Sequence, residues 1–337
     1  MEHSFFWITG EKAQGSAGTV FAGAMFVEVL TNGTPASTHA PKPNIVFVHG
    51  GGGQGTDYLM TPDGRPGWAP LMAEQGYPVY VIDRPGHRRS PYDPEQLGDP
   101  TPTWGAEILT GVFLGDPQGP PLAPNTQWPG ALDGNDDVFA QFAASQGPLS
   151  SRLAEMHARE RDRLVSLLER IGPSVIVAHS AGGPCAFLAA DSRPDLVTGL
   201  VAVEVIGPPF LGQPQTGITL PWGLAAAPMN YEPPAADASD IALVMDESGP
   251  VPLALQAEPA RTLPNLARVP IAVVTAEASP FTYFDGHLTA FLDQVGCHST
   301  LLRLTEQGIH GNGHGMMLEK NNAEVLAVIE AWISKLA

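Results

Sequence analysis

Val175-Ile176-Val177-Ala178-His179-Ser180-Ala181-Gly182-Gly183-Pro184 is the stretch whose reading decides the fold. A short β-branched run ends in a small residue, then His-Ser, then Ala-Gly-Gly. This predicts a buried strand that turns abruptly into a helix, with a serine at the apex. Such a turn is strained, so the residues two before and two after the serine must be small; here they are Ala178 and Gly182. The turn exposes the hydroxyl over a helix N-terminus, where developing negative charge is stabilised. It matches the nucleophile-elbow pattern G-x-S-x-G, with alanine at the first glycine. A strand-to-helix turn with an incidental serine reads the same locally, so the partners of a nucleophile have to be found elsewhere in the chain.

Outward from the elbow, residues 45–48, 79–82, 174–178, 200–205, 271–275 and 299–304 read as buried strands. Residues 68–75, 151–171, 181–191, 286–295 and 324–335 read as helices; in 151–171, Leu153, Met156, Leu164, Leu167 and Leu168 form one apolar side. Apolar strands alternating with helices predict an α/β fold with a mostly parallel central sheet covered on both faces. Residues 5–9 and 19–30 read as a hairpin, and Pro-rich 34–43 as a linker. Two Pro- and Gly-rich excursions, at about 84–150 and 207–268, break the rhythm. They are expected to be irregular insertions forming a cap over the strand ends of a single domain spanning 1–337.

Composition limits the function. Of 337 residues, 43% are hydrophobic and 15% charged, which favours a sizeable core over disorder. Glycine (37) and proline (34) make about a fifth of the chain, as long irregular loops require. The formal charge is −18, and no basic cluster exists beyond Arg88-Arg89 and the scattered arginines of 152–170, so neither nucleic acid nor an anionic membrane is an expected partner. Two cysteines, Cys185 and Cys297, are too few for a disulfide scaffold and have no metal-site spacing; both are expected to be buried free thiols. The first residues, Met1-Glu2-His3-Ser4-Phe5-Phe6-Trp7, show neither a basic start nor a long apolar run, and no apolar stretch of about 18 residues occurs. A cytoplasmic protein is expected.

A nucleophilic serine needs a base, an orienting acid and an oxyanion hole. His49-Gly50-Gly51-Gly52-Gly53 follows strand 45–48, and its backbone N–H groups, from Gly51 or Gly52, would pair with that of Ala181. A phosphate loop would need a downstream Gly-Lys-Ser/Thr, and none follows. Two acids compete. Glu204 interrupts the apolar run Leu200-Val201-Ala202-Val203-Glu204-Val205, a costly place for an unpaired carboxylate; Glu277, in Thr275-Ala276-Glu277-Ala278-Ser279, comes one strand later. The pattern favours Glu204. Two histidines, His310 and His314, compete for the base in Gly308-Ile309-His310-Gly311-Asn312-Gly313-His314-Gly315, a loop expected to be flexible. His-x-x-x-His pairs bind metal on helices, which the intervening glycines disfavour, so no metal is expected. His179 is expected to line the pocket beside the serine. The excursions supply Trp104, Phe113, Trp128, Phe139, Phe210, Trp222 and Tyr231; of these Trp222 and Phe210 are taken as substrate-binding.

The chain resembles an α/β-hydrolase over most of residues 44–335, and within that superfamily a branch of bacterial carboxylesterases. The resemblance is carried by Thr61-Pro62-Asp63-Gly64-Arg65-Pro66-Gly67-Trp68, Asp83-Arg84-Pro85-Gly86-His87-Arg88-Arg89-Ser90, the elbow, Ala202-Val203-Glu204, and His310-Gly311-Asn312-Gly313-His314 through Asn321-Asn322. It implies Glu204 as the acid and His314, in the Gly-Asn-x-His motif, as the base. It implies hydrolysis of a small-molecule carboxylic ester without a cofactor, and a homodimer as an assembly known in the branch. The expected substrate is a small to medium hydrophobic or aromatic ester or lactone. An amidase, a C–C hydrolase or a lyase using the same triad is the alternative, and a non-catalytic ligand-binding module a more distant one. Some relatives carry a cysteine pair where this chain has Gly51-Gly52, so a local disulfide is absent from the loop.

Overall fold

The structure is a computed structural model that describes residues 1–32, 42–115, 119, 121–213, 216–249 and 251–336. The chain begins with β1 (Glu2–Ile8), the hairpin β2 (Glu11–Gly15) and β3 (Gly18–Ala22), and β4 (Met25–Thr31). β5 (Asn44–Val48), α1 (Trp68–Glu74) and β6 (Val79–Asp83) follow. Three short helices, α2 (Pro94–Leu97), α3 (Ala106–Phe113) and α4 (Asp137–Ala144), precede the long α5 (Leu153–Ile171). Then come β7 (Ser174–His179), α6 (Gly183–Ser192), β8 (Val197–Val203), and a second hairpin of β9 (Leu243–Asp246) and β10 (Leu253–Gln256). β11 (Ile271–Thr275), α7 (Asp285–Gln294), β12 (Ser299–Arg303) and α8 (Asn322–Ile333) complete the chain.

Among the described residues eight strands form one sheet in the order β1-β4-β6-β5-β7-β8-β11-β12. β1 and β4 run antiparallel to their neighbours, and the pairs from β6 to β12 are parallel. Alternate residues of the apolar strands enter two separate cores, as a sheet covered on both faces requires. Val46, Ile176, Leu200 and Val273 pack with α5, α6 and α7, whereas Phe47, Val177, Val201 and Val274 pack with α1, α3, α4 and α8. The parallel strands end together at one edge, where β5, β7, β8 and β11 deliver their loops.

Three expectations need correction. The first excursion is not wholly irregular: α3 and α4 lie within it, each only about two turns long. The N-terminal strands do pair, β1 with β4, but the β2–β3 hairpin is inserted between them. The second excursion mostly does not cap the strand ends. Its residues Phe210, Trp222, Leu224, Tyr231 and Ile241 join the core on the α5–α7 face of the sheet. The Pro-rich linker at 34–43 falls largely outside the described residues. Cys185 and Cys297 are buried and free.

Candidate functional site

The site assembles at the ends of β5, β7, β8 and β11. β7 stops at His179, and Ser180 adopts φ +50° before the helix begins. The elbow can fold because its neighbours are small. A Cβ on Gly182 would lie 2.4 Å from the His49 carbonyl oxygen, so glycine is required there. Ala178 sits fully buried in the sheet with its methyl group in the core, which explains why alanine serves at the first glycine position. Glu204 follows β8 directly and also has positive φ (+46°). Ser180 and Glu204 are thus two of the four described non-glycine residues in the left-handed region, a strain tolerated where the surroundings over-determine it.

The three expected residues meet. His314 Nε2 lies 3.0 Å from Ser180 Oγ, and His314 Nδ1 lies 3.2 Å from Glu204 Oε2. The Glu204 carboxylate also accepts the Ala276 N–H at 2.8 Å through Oε1 and the Ser279 hydroxyl through Oε2. The His314 ring stacks on Phe281 (centroids 4.1 Å, 14°) and meets Phe113 edge-on (centroids 5.0 Å, 61°). Burial pushes the imidazole down to about 3, which keeps it neutral in the resting site and makes a proton on it costly unless Glu204 offsets the charge. Burial pushes the Glu204 carboxyl up to about 8, against the pull of its Ser279 and Ala276 donors. Both shifts penalise an isolated charge in this dry site, so charge on either group is relieved chiefly by its partner.

The loop carrying His314 is pinned rather than flexible. Buried Glu319 accepts from the Gly313 N–H (2.8 Å), Asn125 Nδ2 (2.8 Å) and Asn312 Nδ2 (2.6 Å). Gly311 has φ +76°, and a Cβ there would fall 1.9 Å from Thr126 Oγ1; its glycine permits close packing. His179 lines the pocket as expected, and its Nε2 donates to the His314 carbonyl at 3.0 Å.

The competing acid and base pair with each other instead. His310 Nδ1 stands 3.3 Å from Glu277, whose Oε1 accepts the Gly311 N–H at 2.7 Å; His310 is largely exposed. Neither has a hydrogen bond to Ser180. Of the glycine loop, Gly51 borders the pocket, and a Cβ on it would lie 3.2 Å from the Ala181 Cβ, so Gly51 and Ala181 are neighbours. Gly52 does not line the pocket; its carbonyl accepts from Gly147 N–H at 2.8 Å. Phe210 and Trp222 also lie elsewhere. Phe210 packs edge-on against Phe291 of α7, and the Trp222 carbonyl accepts the Tyr231 hydroxyl. The apolar walls are Trp104, Val112, Phe113, Phe142, Phe281 and Met317, chiefly from the first excursion. Among the described residues no lysine or arginine lines the pocket and one carboxyl does, Asp57, which burial pushes up to about 7.

Sequence reasoning missed Ser279, Asn125 and Glu319. The one available signal was Glu319 directly after the apolar Met316-Met317-Leu318, a carboxylate whose burial requires partners.

Residues 43–222 match the family model described as the alpha/beta hydrolase fold. The chain is 37% identical over 308 residues to a probable secreted lipase, phiG, of a fungus (Fungal sp. strain ATCC 74256), covering 89% of this chain and 84% of that protein. The solved structure of a novel bacterial esterase superposes with a TM-score of 0.65 at 22% identity, covering 99% of this chain and 95% of that one. With the elbow, the sheet order and the family match in agreement, the chain belongs to the α/β-hydrolase fold family.

Proposed function

We propose that the protein is a serine carboxylic-ester hydrolase that works through an acyl-enzyme. The observation that carries the reading is the continuous chain of hydrogen bonds from Ser180 through His314 to Glu204 at the floor of an apolar pocket. His314 takes the Ser180 proton as the hydroxyl attacks the ester carbonyl, and Glu204 holds the imidazole and stabilises its charged form. The N–H groups of Ala181 and Gly51 hold the tetrahedral oxyanion. His314 then protonates the leaving alcohol and activates the water that releases the acid. The name of the fungal relative, a lipase, supports ester chemistry. The uncharged apolar walls favour a neutral hydrophobic or aromatic ester or lactone of small to medium size. A panel of p-nitrophenyl esters tests the reading. Turnover is expected, and none across the panel would instead favour an amidase, a C–C hydrolase or a lyase. On location, the relative is named as secreted, against the cytoplasmic expectation; among the described residues no helix is long and apolar enough to cross a membrane.

Substrate size is set by Trp104 in this reading. The cavity beside Ser180 has about 20 Å³, room for roughly one water. The Trp104 ring packs over the glycine loop: it would lie 3.0 Å from a Cβ on Gly51. Trp104→Ala is expected to raise kcat/KM for octanoate and benzoate esters relative to acetate by roughly ten-fold, within the range that small changes of pocket shape produce. An unchanged ratio would remove Trp104 from substrate selection.

A further inference from the structure

Beneath the glycine loop lies a buried cation to which the acyl-transfer steps above assign no task. Arg84 follows β6 directly, and neither its side chain nor that of Glu160 on α5 reaches solvent. Arg84 Nη1 donates to Glu160 Oε1 at 2.8 Å and to the Ala181 carbonyl at 3.3 Å; Nη2 donates to the Gly50 carbonyl at 2.8 Å. The Arg84 backbone N–H donates to His49 Nε2 at 3.0 Å, which leaves the ring proton on Nδ1, and Nδ1 donates to the same Gly50 carbonyl at 2.9 Å. One guanidinium therefore ties together the two segments that border the oxyanion position.

As a purely stabilising device this pair is poor. Arg84 Nε and Glu160 Oε2 are buried without a hydrogen-bond partner among the described residues. A buried ion pair offsets its desolvation only when its remaining polar atoms are satisfied, and well-packed apolar residues often do as well. The geometry gives it another task. The Gly50 carbonyl and the Gly51 N–H belong to one peptide unit, and in a trans peptide they point in opposite directions. Two donors on the carbonyl fix the plane of that unit and therefore the direction of the Gly51 N–H. A cation on the carbonyl side also polarises the unit and strengthens its N–H as a donor.

We infer that Arg84, held by Glu160, is a positioning residue of the oxyanion hole that aims and polarises the Gly51 N–H. The inference rests on the acyl-serine reading above. It predicts a loss confined to the transition state. In the charge-balanced double variant Arg84→Met/Glu160→Met, kcat falls by roughly ten- to hundred-fold, less than the loss of a whole oxyanion donor, while KM stays within about two-fold. Affinity for a trifluoromethyl ketone, which forms a tetrahedral adduct on serine, falls by a similar factor. Arg84→Lys keeps the charge but loses the fork, so it recovers only part of kcat. Wild-type kcat and ketone affinity with only a lowered Tm would overturn the assignment and leave Arg84 a strut. If the double variant does not fold, Arg84→Lys alone decides: kcat reduced at constant KM supports the role, and unchanged kcat overturns it. A wild-type protein that neither hydrolyses esters nor reacts with a fluorophosphonate would strike the acyl-serine reading itself. An active wild type with an equally active variant strikes only the role of Arg84.

Discussion

Ser180→Ala is expected to lower ester turnover by roughly 10⁵- to 10⁶-fold and to leave the protein folded. The rate effect follows from what the hydroxyl does in the proposed reaction. Without Oγ no acyl-enzyme forms, and His314 has no proton to accept; the oxyanion donors alone give only a residual acceleration of water attack. The structural effect is small for equally specific reasons. Ser180 Oγ has one hydrogen bond, to His314 Nε2, and the pocket leaves room for water beside that nitrogen. Alanine at φ +50° is strained about as serine is, so the turn itself has no reason to change. Two measurements on the purified variant separate the effects: kcat with a p-nitrophenyl ester, and Tm. A fluorophosphonate should add one adduct to the wild type, at Ser180, and none to the variant. Retained turnover in pure variant protein would show that another nucleophile carries the reaction.

What the sequence disclosed was the part of the site encoded locally. The elbow is legible because a strained turn accepts only small residues at 178 and 182, and the structure gives the reason in the 2.4 Å approach that a Gly182 Cβ would make to the His49 carbonyl. Glu204 is legible because a carboxylate in an apolar strand must find partners, and it finds three: Ala276 N–H, Ser279 and His314. Substrate contacts were another matter. An aromatic in a Pro-rich excursion looks the same whether it walls the pocket, as Trp104 and Phe113 do, or packs on the far side of the sheet, as Phe210 and Trp222 do. Only the path of the excursion decides, and that path is set by long-range packing. The helices α3 and α4 were hidden by their length. Two turns give too few repeats for a period to emerge, and Gly111 lies inside α3. Glu319 escaped because one of its partners, Asn125, lies 194 residues away, and because the glycine-rich loop that brings Gly313 and Asn312 back onto it reads as flexible from sequence.

The sharpest test of the acid is a pair of isosteric changes, Glu204→Gln and Glu277→Gln, expected to differ by about three orders of magnitude in kcat. At 204 every partner facing the carboxylate is a donor: the Ala276 N–H, the Ser279 hydroxyl and, in the working tautomer, His314 Nδ1–H. An amide has one oxygen to accept with. Its NH₂ must point at one of these donors or turn toward His314 Nδ1, and in that second arrangement the ring proton moves to Nε2. The imidazole then presents a proton to Ser180 where it should accept one. An orienting acid changed to its amide costs about 10⁴-fold in kcat where this has been seen in serine hydrolysis, and a loss of roughly 10³- to 10⁴-fold is expected here. Glu277 faces no such demand. Its Oε1 accepts the Gly311 N–H, which a glutamine oxygen can also do, and its other partner is the largely exposed His310. A surface contact of this kind contributes little, and kcat for Glu277→Gln is expected to stay within about three-fold of wild type. A severe loss in Glu277→Gln beside a mild one in Glu204→Gln would make Glu277 the working acid. The hydrogen bond from His314 to Glu204 would then be structural, and His310 would become the base to examine next.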